Sequence, residues 1–295
     1  MGEKMTASNF SEQIGALAEN PVAGGVSSGT FGIEHYLTMA MAFLFVLLLV
    51  MEVIRPYKRF SKKTARASFT TNTSAFLFNN VILTLFSATS LFVIAQHYSY
   101  IGLLAGIDPG IIKFVLSFFL FDLAIYAWHV ASHHSEFLWR FHKIHHSDKS
   151  FNVTTGFRFH VFDTFIELVY KSVVIVLLGL DAYTVLLCEL IKTLFVMFHH
   201  CNLSFRGEEA LSKLFIVPYL HRSHHSALRS EHDANYGIVF SIWDQIFGTR
   251  KEVVPDKIGL ELIEAENFTQ LFSLAFITER RILRILQMLP KGKRR

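Results

Sequence analysis

The sequence predicts an all-α integral membrane bundle with a histidine-rich helical cap on the cytoplasmic side, and three observations carry that prediction. Of its 295 residues 52% are apolar and 30 are Phe, with a mean hydropathy of +0.37, more than a soluble core of this length uses. Apolar stretches long enough to cross a bilayer alternate with short polar joints. Thirteen of the fifteen histidines fall between His129 and His232, at spacings that place them on helix faces.

Charge and cysteine content remove other classes. The net charge of +4 and pI near 9.0 come from basic residues that flank apolar stretches, without the basic patch and interleaved aromatics of a nucleic-acid surface. Cys188 and Cys201 lie in or beside an apolar stretch and form neither a disulfide framework nor a zinc motif. The first thirty residues carry Lys4 but no apolar core before Phe31, so they read as a Gly/Ser-containing lead-in and not as a signal peptide.

The first span is Ile33 to Ile54, interrupted only near its ends by Glu34, His35 and Glu52. No Asp, Glu, Lys or Arg occurs from Ala67 to Ile107, which gives room for a second span at about Ser74 to Gln96, closed by Gly102, Gly106 and the Asp108-Pro109-Gly110 turn. A third, about Ile111 to Trp128, carries one acid, Asp122, and delivers His129 to the membrane boundary. Val161 to Leu180 and Ala182 to Phe198 read as two more apolar helices, joined at Gly179-Leu180-Asp181.

Those last two helices contain Asp163, Glu167, Lys171, Glu189 and Lys192. Each would cost about 2.5 to 3.5 kcal/mol facing lipid at mid-depth, so they are expected to face protein or a cavity or to pair, with snorkelling as the even alternative for Asp163 and Glu189. Orientation follows from Arg55, Lys58, Arg59, Lys62, Lys63 and Arg66, a basic loop without an acid, which the positive-inside rule puts in the cytoplasm. Three crossings then return His129 to His160 to that side. A basic amphipathic helix, Phe268 to Leu289, is expected before Lys291, Lys293, Arg294 and Arg295, which suit an anionic membrane surface.

The histidine spacing is more specific than the histidine count. His129 and His133 stand at i and i+4; His142, His145 and His146, and again His221, His224 and His225, stand at i, i+3 and i+4. Each pattern converges imidazoles on one helical face, and two HxxHH runs in one chain rarely arise by chance. Eight or nine imidazoles exceed the about four to six ligands one ion uses, so two ions are expected, and imidazole suits Fe, Cu, Zn or Ni. His35 and His97 read as interfacial side chains, and His134, His199 and His232 as packing or solvent-contact neighbours of stronger positions.

The pattern HxxxH, HxxHH, HxxHH resembles the fatty acid hydroxylase and sterol desaturase superfamily of membrane di-iron oxygenases. The resemblance runs from about Phe119 to Arg250 and includes Tyr126-Ala-Trp-His129, Leu138-Trp139-Arg140-Phe141-His142, Arg158-Phe-His160, His200-Cys-Asn202, Asn235-Tyr236-Gly237 and Trp243-Asp244-Gln-Ile-Phe247-Gly248-Thr249. Val130, Val161 and Asp163 depart from residues common in that family. The resemblance implies that His129, His133, His142, His145, His146, His221, His224 and His225 are iron ligands, with His200 a ninth. It leaves His160 and Asn202 as ligands or orienting groups, and Asp122, seven residues before His129, as an acceptor for a ligand N–H.

The spans and the resemblance together give the expected organisation: a lead-in over 1–32, membrane helices and a basic loop over 33–112, a fatty acid hydroxylase-like catalytic domain over 113–250 and a basic tail over 251–295. The implied activity is hydroxylation or desaturation of a lipid C–H bond by two Fe ions with O2 as co-substrate. With no GxGxxG and no CxxC cluster, the electrons are expected from a separate reductase or small carrier. A zinc-dependent lipid hydrolase or isomerase with the same cage, or a non-catalytic membrane metal-binding protein, are the alternatives.

Overall fold

A computed structural model describes residues 33–85, 91–108, 110–261, 263 and 265–277. The chain divides into two compact units, Met1–Ala42 and Phe43–Arg295. The described part of the first is the opening of helix α1 (Ile33–Ile54). The expected lead-in over 1–32, the side chain of His35, and the chain from 278 onward, including most of the expected amphipathic tail, lie outside the described residues. Within that last prediction the structure has a short helix, Phe268–Leu274.

The described residues are helical and contain no strand, only isolated bridges at Phe215–Phe240 and Ser226–Ile258. After α1 come α2 (Lys62–Leu85), α3 (Leu91–Tyr98), α4 (Ile111–His134), α5 (Glu136–His146), a 3-10 turn (Val153–Phe157), α6 (Val161–Leu178) and α7 (Ala182–His199). The short helices α8 (Glu208–Leu211), α9 (Pro218–His224), α10 (Arg229–His232), α11 (Ile242–Ile246) and α12 (Phe268–Leu274) follow. Among the described residues three helices are long and apolar enough to cross a membrane: Tyr36–Ile54, Ile111–His134 and Ala182–His199. Exposed large apolar side chains such as Phe43, Val53, Ile111 and Ile112 on the first two are what lipid contact requires.

The second expected span is the main difference. Ser74 to Gln96 is not one described helix: α2 starts at Lys62, inside the stretch read as a loop, and ends at Leu85, and α3 resumes at Leu91. The uncharged window misled because it holds Ser, Thr and Asn at helical spacing. Ser68, Asn72, Ala75 and Asn79 form a buried stripe, and Lys and Arg before them are good helix formers. The stripe bonds to the histidine-bearing half. Ser68 Oγ and Asn72 Nδ2 donate to Asp148 Oδ2 at 2.7 and 2.9 Å, and Asn79 Nδ2 donates to the Phe159 carbonyl at 3.0 Å. Arg158 donates from Nη1 to Asn72 Oδ1 and from Nε to the Ile144 carbonyl. Burial opposes ionisation of Asp148, but the Arg158 guanidinium and the donors from Asn72, Ser150 and Ser68 hold its carboxyl below the ordinary range.

Helix α6 covers the fourth expected stretch, but its acids and Lys171 keep it out of the candidate spans. It ends at Gly179, in the left-handed region at φ 69°, and α7 starts where Asp181 Oδ1 accepts from the Thr184 N–H. Phe121, Ile125, Val174, Ile175, Val185 and Cys188 form the core between α4, α6 and α7.

Gly102 docks on this corner at φ 110°, with the amides of Leu103 and Leu104 donating to the carbonyls of Leu177 and Leu178 at 2.8 and 2.9 Å. A Cβ on Gly102 would lie 2.4 Å from the Gly179 nitrogen and 2.6 Å from the Val176 oxygen, both backbone atoms that cannot step aside. Gly102→Ala is therefore expected to destabilise the protein by about 2 kcal/mol or more. A lowered thermal midpoint in detergent is the measurement, and an unchanged midpoint would show that the corner yields.

Candidate metal centre

Two helix corners assemble the histidines. Ser135 ends α4, its amide donating to the Ala131 carbonyl, and caps α5, its hydroxyl accepting from the Leu138 amide. One residue thus separates the helix carrying His129 and His133 from the helix carrying His142, His145 and His146. The second corner sets His200, at the end of α7, against α9, which carries His221 and His224 and is followed by His225.

The nine histidines singled out by their spacing and the resemblance come together in two buried groups. His129, His133, His142, His146 and His224 form one; His145, His200, His221 and His225 form the other. Within each, one ring nitrogen per residue lies within 4.8 Å of all the others. The two HxxHH runs divide in opposite senses. The α5 run sends its i and i+4 members to the five-residue group and its i+3 member to the other, whereas the α9 run sends only its i+3 member to the five-residue group. The groups adjoin: the rings of His146 and His225 stack with centroids 4.6 Å apart.

The ring nitrogens are arranged so that they could hold a metal. Each of five histidines points Nδ1 at an outer acceptor: His129 at the Tyr236 carbonyl (2.7 Å), His133 at Asp233 Oδ1 (3.1 Å), His142 at Asp163 Oδ2 (3.2 Å), His200 at the Val196 carbonyl (2.7 Å) and His224 at the Ala234 carbonyl (2.7 Å). An acceptor on Nδ1 fixes the tautomer that leaves the Nε2 lone pair facing inward. The Nε2 atoms of His129, His133, His142 and His224 are buried with no hydrogen-bond partner, as are both ring nitrogens of His146 and His225. His200 Nε2 lies 3.1 Å from His145 Nε2 and 2.9 Å from His221 Nε2.

A buried nitrogen without a partner costs about 1 to 3 kcal/mol, so a cage of them fits a cation that satisfies all at once. Burial, and then the neighbouring imidazoles, push His145, His146, His221, His224 and His225 well below the ordinary histidine range. Burial takes His200 down to about 4, against the Val196 hydrogen bond. These rings are neutral at physiological pH, the form that binds metal.

Three of the outer acceptors belong to one short segment, Asp233 to Tyr236, which overlaps the Asn235-Tyr236-Gly237 run. Asn235 holds it: at φ 55°, its Nδ2 donates to the Lys251 carbonyl and Ser223 Oγ, and its Oδ1 accepts from the Lys251 amide. Asp244 holds it from the other side, accepting from the amides of Tyr236 and Gly237. A Cβ on Gly237 would lie 2.4 Å from the Phe240 carbonyl oxygen, so the close approach needs glycine.

The weaker candidates lie elsewhere. Asp122 does not accept from a histidine. It takes the Trp243 indole N–H at 2.8 Å and the amides of Val239 and Phe240, because its turn of α4 faces the chain after Tyr236 and not the rings. His160 stands outside both groups and caps α6, its Nδ1 accepting from the Phe162 amide. Asn202 exchanges two hydrogen bonds with the Lys58 backbone, and its own amide donates to buried Glu52.

Among the neighbours, His134 Nε2 meets the Tyr236 hydroxyl, and His97 bonds within its own helix. His199 is fully buried against His221, ring centroids 4.0 Å apart. His232 joins His133 and Asp233 in a third, smaller group. Asp163, read as a membrane cost, is the partner of His142.

A cavity of about 390 Å³ opens onto both groups, with His129, His142, His145, His200 and His221 in its wall. Phe76, Leu83, Ile125, Trp128, Phe157 and Phe159 supply apolar wall. Glu167, Lys171, Glu189 and Lys192 also line it, and they pair: Lys171 with Glu189 at 3.0 Å and Glu167 at 3.5 Å, Lys192 with Glu167 at 2.8 Å and Glu189 at 3.5 Å.

Comparison with known proteins gives one family match: the fatty acid hydroxylase model covers residues 114–249. Among curated relatives, the ornithine lipid hydroxylase OlsE of Rhizobium tropici is 34% identical over 142 residues, 48% of this chain and 42% of that protein. Human alkylglycerol monooxygenase is 29% identical over 128 residues, 43% of this chain and 28% of its own length. A zebrafish (Danio rerio) cholesterol 25-hydroxylase-like protein is 25% identical over 223 residues, 74% of this chain and 88% of its own length. The chain thus spans less than half the length of the first two. No solved structure matches it.

Proposed function

The chain belongs to the fatty acid hydroxylase/sterol desaturase superfamily, and from that premise we propose that it is a membrane-bound non-haem di-iron oxygenase that hydroxylates or desaturates a lipid C–H bond. The observation that carries this reading is the division of nine histidines into two adjoining buried groups whose lone pairs face inward. His129, His133, His142, His146 and His224 would hold one iron, and His145, His200, His221 and His225 the other. Iron held there would supply activation of O2 and removal of hydrogen from an unactivated C–H bond. The chain's own residues position and seal. Asp233, Ala234, Tyr236, Val196 and Asp163 fix the rings, and the apolar wall excludes water from the reacting end of the substrate.

A lipid substrate fits a cavity walled in part by the candidate spans α4 and α7, and the relatives are by name enzymes of ornithine lipid, alkylglycerol and cholesterol. The basic stretch from Arg55 to Arg66 puts the histidine-bearing side in the cytoplasm in this reading, where a separate reductase or small carrier delivers electrons. Within this organisation residues 113–250 form the catalytic part.

Metal analysis of anaerobically purified protein is expected to give about two irons per chain, and lipid extracts of expressing cells a product heavier by one oxygen or lighter by two hydrogens, formed only with O2. Redox-inert zinc with oxygen-independent turnover would overturn the reading.

A further inference from the structure

We propose that the four ionised side chains in the cavity wall form the recognition site for the substrate's polar end, and that this end is zwitterionic, bearing an ammonium and an acidic group. This rests on the oxygenase reading for the identity of the reacting end, but the binding claim stands on the cavity alone. A cavity for unbroken hydrocarbon would not carry two carboxylates and two ammoniums in its wall, because hydrocarbon would strip their water and return nothing. Glu189 and Lys192 lie within the candidate span α7, and ionised groups in such a helix are retained where they meet a polar ligand or pathway.

The arrangement is specific about what fits. The four charges sum to zero, so a group of net charge would be buried uncompensated, whereas a zwitterion matches the set charge for charge. The set is also open to the cavity: Glu189, Glu167 and Lys192 side chains are 28%, 20% and 18% exposed, against 8% for Lys171. Glu189 is thus the first contact for an incoming ammonium, and Lys192 for the acid beside it. Thr164 and Thr193 add hydroxyls to the same wall.

Placement along the helix then says which carbon reacts. Asp163, Glu167 and Lys171 lie at i, i+4 and i+8 on one face of α6, and Asp163 holds His142. At about 1.5 Å per residue the charged set begins about 6 Å and ends about 12 Å beyond the residue that orients a ring of the cage. A substrate anchored there presents a carbon close to its own polar end, and not a methylene far down a chain.

The test is binding, read without iron or turnover. Trp128 lines the cavity. Its quenching by brominated single-chain amphiphiles is measured in lipid nanodiscs of the full chain, with probes that share a tail and carry an ammonium–carboxylate, a carboxylate, an ammonium or a diol head. The zwitterionic probe is expected to bind about tenfold more tightly than the others. Lys192→Met, which leaves the set at one negative charge, is expected to shift preference to the ammonium probe, and Glu189→Gln to the carboxylate probe. If either variant fails to fold, Lys192→Arg, which keeps the charge and the pairing with Glu167 and Glu189, takes its place and retains zwitterion preference, and loss of that preference overturns the proposal. Equal binding of all four heads by the wild-type protein, or a diol preferred to the zwitterion, overturns the proposal while leaving the iron reading intact. Loss of iron chemistry with head-group discrimination preserved does the reverse.

Discussion

Replacing His145 with alanine is expected to remove about one iron per chain and to lower oxygen-dependent lipid turnover by more than about 100-fold, with insertion in the membrane unchanged. His145 belongs to the four-residue group, so its loss leaves three donors, His200, His221 and His225, one fewer than the four of a closed site. His224→Ala strikes the five-residue group and leaves four donors there, so more of its iron should survive although the geometry for chemistry does not. His145 makes no hydrogen bond outside the cage: its Nε2 meets His200 and its Nδ1 has no partner, whereas His224→Ala also gives up the bond from Nδ1 to the Ala234 carbonyl. The metal-free His145→Ala variant should therefore unfold near metal-free wild type, and only the loaded wild type should gain the stability that ligand binding confers. His97→Ala, whose ring bonds only within its own helix turn, is the control and should change neither iron nor turnover. Turnover retained in both His145→Ala and His224→Ala would rule out this ligand set.

What could be read from the chain in advance follows from how local each signal is. The i, i+3 and i+4 spacing of His142, His145 and His146 is a property of one helix, so the convergence of their rings was legible. The division of those three between two groups was not, because it depends on how α9 packs across α5. Backbone acceptors carry no residue identity, which is why the carbonyls of Val196, Ala234 and Tyr236 left no mark beyond the unexplained Asn235-Tyr236-Gly237. Asp163 and Asp122 were both visible as acids in apolar surroundings, and their partners depended on packing. Asp163 meets the ring of His142, a candidate ligand, and Asp122 meets an indole. The start of α2 was missed for a related reason, since a hydropathy window averages over the Ser, Thr and Asn stripe that the fold buries.

The dependence of the cage on outer supports makes a second large effect predictable, at a residue that touches no candidate ligand. Asp244→Ala is expected to cost about 3 kcal/mol or more of stability and to weaken iron binding in the five-residue group by about 10- to 100-fold. Its carboxylate is fully buried and accepts from the Tyr236 amide at 2.8 Å, the Gly237 amide at 2.9 Å and the Thr249 hydroxyl at 2.6 Å. Alanine strands the Tyr236 and Gly237 amides in a place water does not reach and leaves the Thr249 hydroxyl with the Tyr126 hydroxyl as its partner. The same segment presents the Ala234 and Tyr236 carbonyls to His224 and His129, so its relaxation frees two rings of one group. The other group is oriented from α7, through the Val196 carbonyl on His200, and should keep its iron. The predicted signature is thus a half-loaded protein, distinguishable by iron stoichiometry and by the spectrum of a single iron from the uniform loss that general unfolding would give. Asp244→Asn keeps the volume and one acceptor oxygen but turns an amide N–H toward the donors, and should fall between wild type and alanine. An alanine variant that binds both irons as tightly as wild type would show that the rings are held by the metal itself and not by the segment behind them.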